Sequence, residues 1–245
     1  MKPLRLLIAL TSLCVGFCTI PSIKISAADI SPTLPELPYL GAAQIHIFGD
    51  SHAHFSFQNV KGCTIHWLPD ITMHRVGRDS ISFLNLLQYD VRENDTAIFV
   101  FGEIDVRCHV AKQCAAGRTL DNVVTTLAEK YIATILKNKA LYHKLHCVVF
   151  AVLPPTDASY NPEFPYRGTL NERVMFTESL NQELYRQCKA HGIHILDVTQ
   201  SYKTAEGYFN LHLSDGRVHI GHNATGPVRD KLYALLNEIY RQDGR

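Results

Sequence analysis

Ile45-His46-Ile47-Phe48-Gly49-Asp50-Ser51-His52 is the stretch on which the fold turns: an apolar run ends in a glycine and an acid, and a serine follows at once. A short apolar run closed by a turn residue reads as a buried strand, and functional groups of open α/β sheets sit where such strands end. Near the other end of the chain, Leu213-Ser214-Asp215-Gly216-Arg217-Val218-His219 sets an acid and an imidazole four residues apart. Serine is a weak nucleophile at neutral pH, so an imidazole must take its proton during attack and return it to the leaving group. A carboxylate then fixes the imidazole's tautomer and stabilises its protonated form. Ser51, His219 and Asp215 are the residue types for those three roles.

Working outward, short apolar runs alternate with longer segments of helical period, which is the pattern of a parallel sheet wound with crossover helices. Strands are predicted at about Gln44–Gly49, Cys63–Leu68, Thr96–Phe101, His146–Leu153 and Ile193–Val198. Ala97-Ile98-Phe99-Val100-Phe101 is apolar on both faces, as a central parallel strand should be. Helices are predicted over Ser80–Gln88, Leu120–Lys137, Asn171–His191 and Thr225–Arg241, with Asp79 and Thr119 as caps of the first two and Gly192 ending the third. Trp67, on a strand, reads as core. The segment from Pro154 to Gly168 carries Pro154, Pro155, Pro162 and Pro165 and is long for a connector, so it is expected to overhang the site.

Lys2 and Arg5 precede the apolar stretch Leu6 to Ile20, and Ser26-Ala27-Ala28 offers small residues for cleavage. Residues 1–28 therefore read as a signal peptide and 29–245 as a single domain, exported to the periplasm or the medium and without stable membrane contact once the leader is removed. The charge balance is close to even, with 24 basic and 23 acidic residues, and holds no long charge run; nucleic acid is excluded as an expected partner. Export permits disulfides, and of the seven cysteines Cys108 and Cys114 are the nearest pair beyond the leader.

Four blocks together resemble the SGNH (GDSL-type) hydrolases: Gly49-Asp50-Ser51-His52 after the first strand, Gly102-Glu103-Ile104-Asp105 after the third, Val152-Leu153-Pro154-Pro155 after the fourth, and Asp215 to His219 before the last helix. The likeness runs from Ile45 to about Tyr240. It implies a three-layer α/β/α sandwich of flavodoxin-like order with about five parallel strands, an ester-cleaving serine, and no metal or other cofactor. It also implies Ser51 as nucleophile, His219 as base, Asp215 as its partner, and Gly77 in Arg75-Val76-Gly77-Arg78 as an oxyanion donor beside the Ser51 N–H. The expected partner is a small-molecule or saccharide ester, O-acetyl groups foremost.

Two positions depart from the family pattern. Where the third block carries an asparagine as oxyanion donor this chain has Ile104, and Arg107 is the candidate to bring a guanidinium to the same place. The acid precedes the histidine by four residues instead of three, which leaves His212 and His222 open as alternative bases. Other readings of the same residues remain: an O-acyltransferase on the same scaffold, a carbohydrate-binding or assembly protein without turnover, and a metal-dependent hydrolase in which His52 and His54 ligate from one side of a strand.

Overall fold

The structure, a computed structural model, describes residues 42–158 and 161–243; the predicted signal peptide lies outside the described residues. Strands β1 (Ile45–Gly49), β2 (Cys63–Trp67), β3 (Thr96–Val100), β4 (His146–Phe150) and β5 (His194–Leu196) form one parallel sheet in the order β2-β1-β3-β4-β5. β1 and β3 are buried along their whole length, which is why they read as continuous apolar runs. In register, Gly49 stands level with Trp67 on one side and Val100 on the other.

Successive strand residues face opposite ways, and the chain uses both faces. Phe48, Ala97, Phe99 and Val149 pack with residues of α2 (Met73–Asp79), α4 (Leu120–Lys139) and α5 (Leu170–His191). Ile45, Ile47, Ile98 and Val148 pack with α1 (Ser51–Phe57) and α7 (Gly226–Gln242). The result is the expected three-layer sandwich. Two short helices, α3 (Ala111–Ala115) and α6 (Thr199–Tyr202), fill the connections.

The first predicted helix is displaced. Thr72 caps α2 by accepting from Arg75 N, and the segment expected as helix holds two 3-10 turns, Ser80–Ser82 and Leu86–Gln88. Ser80 at φ 54° lies in the left-handed region and stops α2, while the Asp79 carboxylate is taken by Arg78 and Arg75 instead of capping. Thr119 and Gly192 act as read: Thr119 accepts from Asn122 N, and Gly192 ends α5 at φ 60°. β4 stops three residues early because the Asn181 amide side chain captures both N–H and C=O of Val152, at 2.8 and 2.9 Å. Cys108 and Cys114 are both free thiols, one in a π-helical turn and the other in α3.

Candidate active site

In the order β2-β1-β3-β4-β5 the winding reverses between β1 and β3, and ligands of such sheets bind at that crevice beyond the strands' carboxyl ends. Ser51 leaves the end of β1 there. A side chain on Gly49 would collide with the Val100 carbonyl and with Ala53 Cβ, so only glycine lets the chain turn this tightly from strand into helix. Asp50 caps α1 by accepting from His52 N at 2.8 Å. Burial raises the Asp50 carboxyl to about 6 despite the neighbouring His52.

The late histidine that reaches the serine is His219. Its Nε2 lies 2.9 Å from Ser51 Oγ, and its Nδ1 lies 2.8 Å from Asp215 Oδ2. The extra residue relative to the family spacing is absorbed by a tight loop: Asp215 N donates to the His219 carbonyl, Ser214 bridges to Ile220, and Gly216 takes φ 84°. His212 lies in a 3-10 turn with its N–H on Asn210, and His222 begins another whose backbone carbonyl accepts from Asn59; among the described residues the imidazole hydrogen-bonded to Ser51 Oγ is that of His219.

Burial, aided by the charge of His52, lowers the His219 imidazole to about 4 against the pull of Asp215. Burial would raise Asp215, but its bond to His219 outweighs that and holds the carboxyl below its usual range. At neutral pH the relay is therefore carboxylate, neutral imidazole and hydroxyl, the state needed to accept a proton from serine.

Beside the relay lies a buried charged cluster that the sequence reading did not assemble. Glu103 Oε2 is 3.3 Å from His52 Nε2 and 3.0 Å from Arg107 Nη2. The His52 ring stands 4.9 Å from that of His219. Burial opposes charge on both His52 and Glu103, yet their pairing wins, raising the first and lowering the second. The signal was the i, i+4 spacing of Glu103 and Arg107 on one helical face. Arg107 is buried in the π-helical turn Asp105–Val110, and its guanidinium lies 5.8 Å from the Phe164 ring. That contact and the bond from Arg167 N to the Arg107 carbonyl, 2.8 Å, seat the proline-rich loop over this turn. Arg173 of α5 anchors the same loop through Asp157, the Gly168 carbonyl and the face of Tyr166.

Three expectations need correction. Gly77 lies inside α2, where an added Cβ would come 2.8 Å from Lys130 Cβ; it is the point of close approach between α2 and α4. An N–H in the body of a helix belongs to the helix ladder, so Gly77 is not a free oxyanion donor. His52 and His54 sit two apart on a helix, not on a strand, and diverge: His52 turns to Glu103 and His54 stacks on Trp67, ring centroids 4.9 Å apart. Trp67 is 51% exposed and is not core. Ile104 is buried and brings no polar atom to the site. Asp105 uses both oxygens to accept from Met73 N and His74 N, at 2.7 and 3.1 Å, and so ties the start of α2 to the third block.

No family model and no curated protein matches the chain. Solved structures do. A protein provisionally assigned as an acylhydrolase, from Bacteroides fragilis, superposes with a TM-score of 0.57 at 13% identity over 84% of this chain and 91% of its own. A GDSL-like lipase from Bacteroides thetaiotaomicron gives 0.51 at 13% over 85% and 93%. A carbohydrate acetylesterase from Sinorhizobium meliloti gives 0.53 at 11% over 80% and 99%. The chain has the fold of the SGNH/GDSL-type hydrolases. At these identities the likeness is one of fold, and the chemistry must be argued from the side chains.

Proposed function

We propose that this chain is an exported serine ester hydrolase that removes short acyl groups, O-acetyl groups of a saccharide foremost, through an acyl-enzyme on Ser51. The observation that carries the reading is the continuous relay from Asp215 through His219 to the Ser51 hydroxyl, at 2.8 and 2.9 Å. Ser51 Oγ attacks the acyl carbonyl as its proton passes to His219 Nε2. The tetrahedral adduct collapses, the C–O bond to the alcohol breaks, and the alcohol leaves with that proton. Water, deprotonated by the same imidazole, then cleaves the acyl-serine and restores the hydroxyl.

The developing oxyanion requires donors. Ser51 opens α1, so its N–H has no partner within that helix. Arg107 is the second donor proposed: its positive charge suits an oxyanion that Ile104 cannot serve, and it joins the relay through Glu103 and His52. The acetylesterase and acylhydrolase named among the structural neighbours support the reaction class, and the carbohydrate in one of those names supports the substrate class.

The test is turnover of p-nitrophenyl acetate and of an acetylated polysaccharide by the purified protein and its Ser51→Ala, His219→Ala, His212→Ala and His222→Ala variants. Loss with the first two alone is expected. Equal rates for the parent and Ser51→Ala end the proposal.

A further inference from the structure

Trp67 closes β2 with its ring in the open. Along β2 it shares a face with Ile65, which packs beside the core formed with α1 and α7. Trp67 continues that face past the core and meets the first turns of α1. One side of its indole lies on His54 at 4.9 Å and 18°, while half of its surface remains exposed. His54 is followed by Phe55, whose ring is stacked on His219 at 4.2 Å. An aromatic run thus leads from the base of the relay to an exposed indole, and Trp67 stands level with Gly49, two residues before the nucleophile.

We infer that Trp67, backed by His54, is the docking face for a pyranose ring of the substrate, adjacent to the ester held at Ser51. The inference rests on the reading of the protein as a saccharide esterase and names the residue that recognises the sugar. A single flat indole braced by an imidazole presents one ring-sized apolar face to water, and the C–H face of a sugar ring matches it in size while its hydroxyls stay hydrated. An alkyl chain gains from burial along its whole length, and an indole that is stacked on His54 and half exposed to water offers only a ring-sized face. Trp67 also lies outside the proton relay, so its role is to hold the sugar and not to assist bond cleavage.

The chain contains one tryptophan, so its emission reports directly on this site. In the Ser51→Ala protein, titration with xylohexaose is expected to shift or quench the emission saturably. In the active protein, Trp67→Ala is expected to raise KM for acetylated xylohexaose about tenfold, equivalent to about 1.4 kcal/mol, with kcat within about twofold. Hydrolysis of ethyl acetate, too small to span both places, should be unchanged, and Trp67→Phe should recover most of the KM.

An unaltered emission together with an unaltered KM overturns the inference. So does an equal loss on ethyl acetate, which would mean general damage, or a dependence on Trp67 seen with octyl acetate and not with the sugar ester. Failure of the esterase reading is visible separately, as persistent turnover by Ser51→Ala. Binding of xylohexaose to that variant is scored without any turnover.

Discussion

Phe55 lies almost flat on the imidazole of His219, ring centroids 4.2 Å apart and planes inclined by 16°. Because Phe55 is four residues after Ser51, one face of α1 carries both the proposed nucleophile and the ring that backs its proposed base. Folding the helix therefore sets two of the relay's contacts at once. A stack of this kind contributes about 0.5–1.5 kcal/mol, so Phe55→Ala should lower kcat on p-nitrophenyl acetate by up to about tenfold, with KM changed less. Phe55→Leu, which keeps bulk without the flat face, should fall between. Parental rates in the alanine variant would show that the stack does not orient the base.

Asp215 is expected to act only through His219. Asp215→Asn keeps the shape of the loop, including an oxygen for Arg217 N, but presents an amide where the imidazole needs an acceptor with negative charge. The wrong tautomer would then face Ser51. A loss of about 10⁴ in kcat is expected, as for other relays of this type, with only a small fall in the unfolding midpoint from the lost carboxylate. A loss under tenfold would remove Asp215 from the relay.

The pH profile follows from the state of His219. With its imidazole lowered to about 4, chiefly by burial and then by His52, kcat/KM should hold from neutral pH down to about 5 and fall as the base becomes protonated below that. His52 is raised despite burial by its pairing with Glu103, so it contributes positive charge close to His219. Removing that charge in His52→Gln makes the imidazolium of His219 easier to form, and the acid limb should move to higher pH. A limb that stays in place, or moves the other way, would contradict the electrostatic coupling across the 4.9 Å between the rings.

The layered fold was readable from the chain, and so were the three residues that the structure brings into one hydrogen-bonded line, because each has a local signature. β1 and β3 are buried on both faces and so read as unbroken apolar runs; Ser51 follows such a run directly; Asp215 and His219 sit in one loop. What was hidden depended on contacts between distant segments. Gly77 looks like a loop glycine until α4 is seen against it, and Trp67 looks like core because it closes a strand-like run, whereas β2 lies at the sheet edge and none of its residues is fully buried. His52, Glu103 and Arg107 come from two separate blocks, and only the sheet order brings β1 beside β3. The boundary errors have the same origin: Asn181 of α5, far along the chain, ends β4, and the left-handed turn at Ser80 overrides a helical pattern.

Asp105 offers a test of the fold instead of the reaction. Its carboxyl is raised to about 7 by burial, although Met73 N and His74 N both donate to it. In the unfolded chain the same group titrates near 3.8. Between these values the folded state holds the proton and the unfolded state has lost it, so this group's contribution to stability falls as pH rises from about 4 to about 7. Asp105→Asn keeps one acceptor oxygen and has no titration. The stability of the parent minus that of the variant, from urea unfolding at successive pH values, should therefore decline across that window and level off above it. His66 and His219, both lowered by burial, push the other way in each protein, which is why the difference and not the parent curve is the readout. A flat difference would mean that Asp105 is ionised throughout and that its bonds to the start of α2 outweigh its burial.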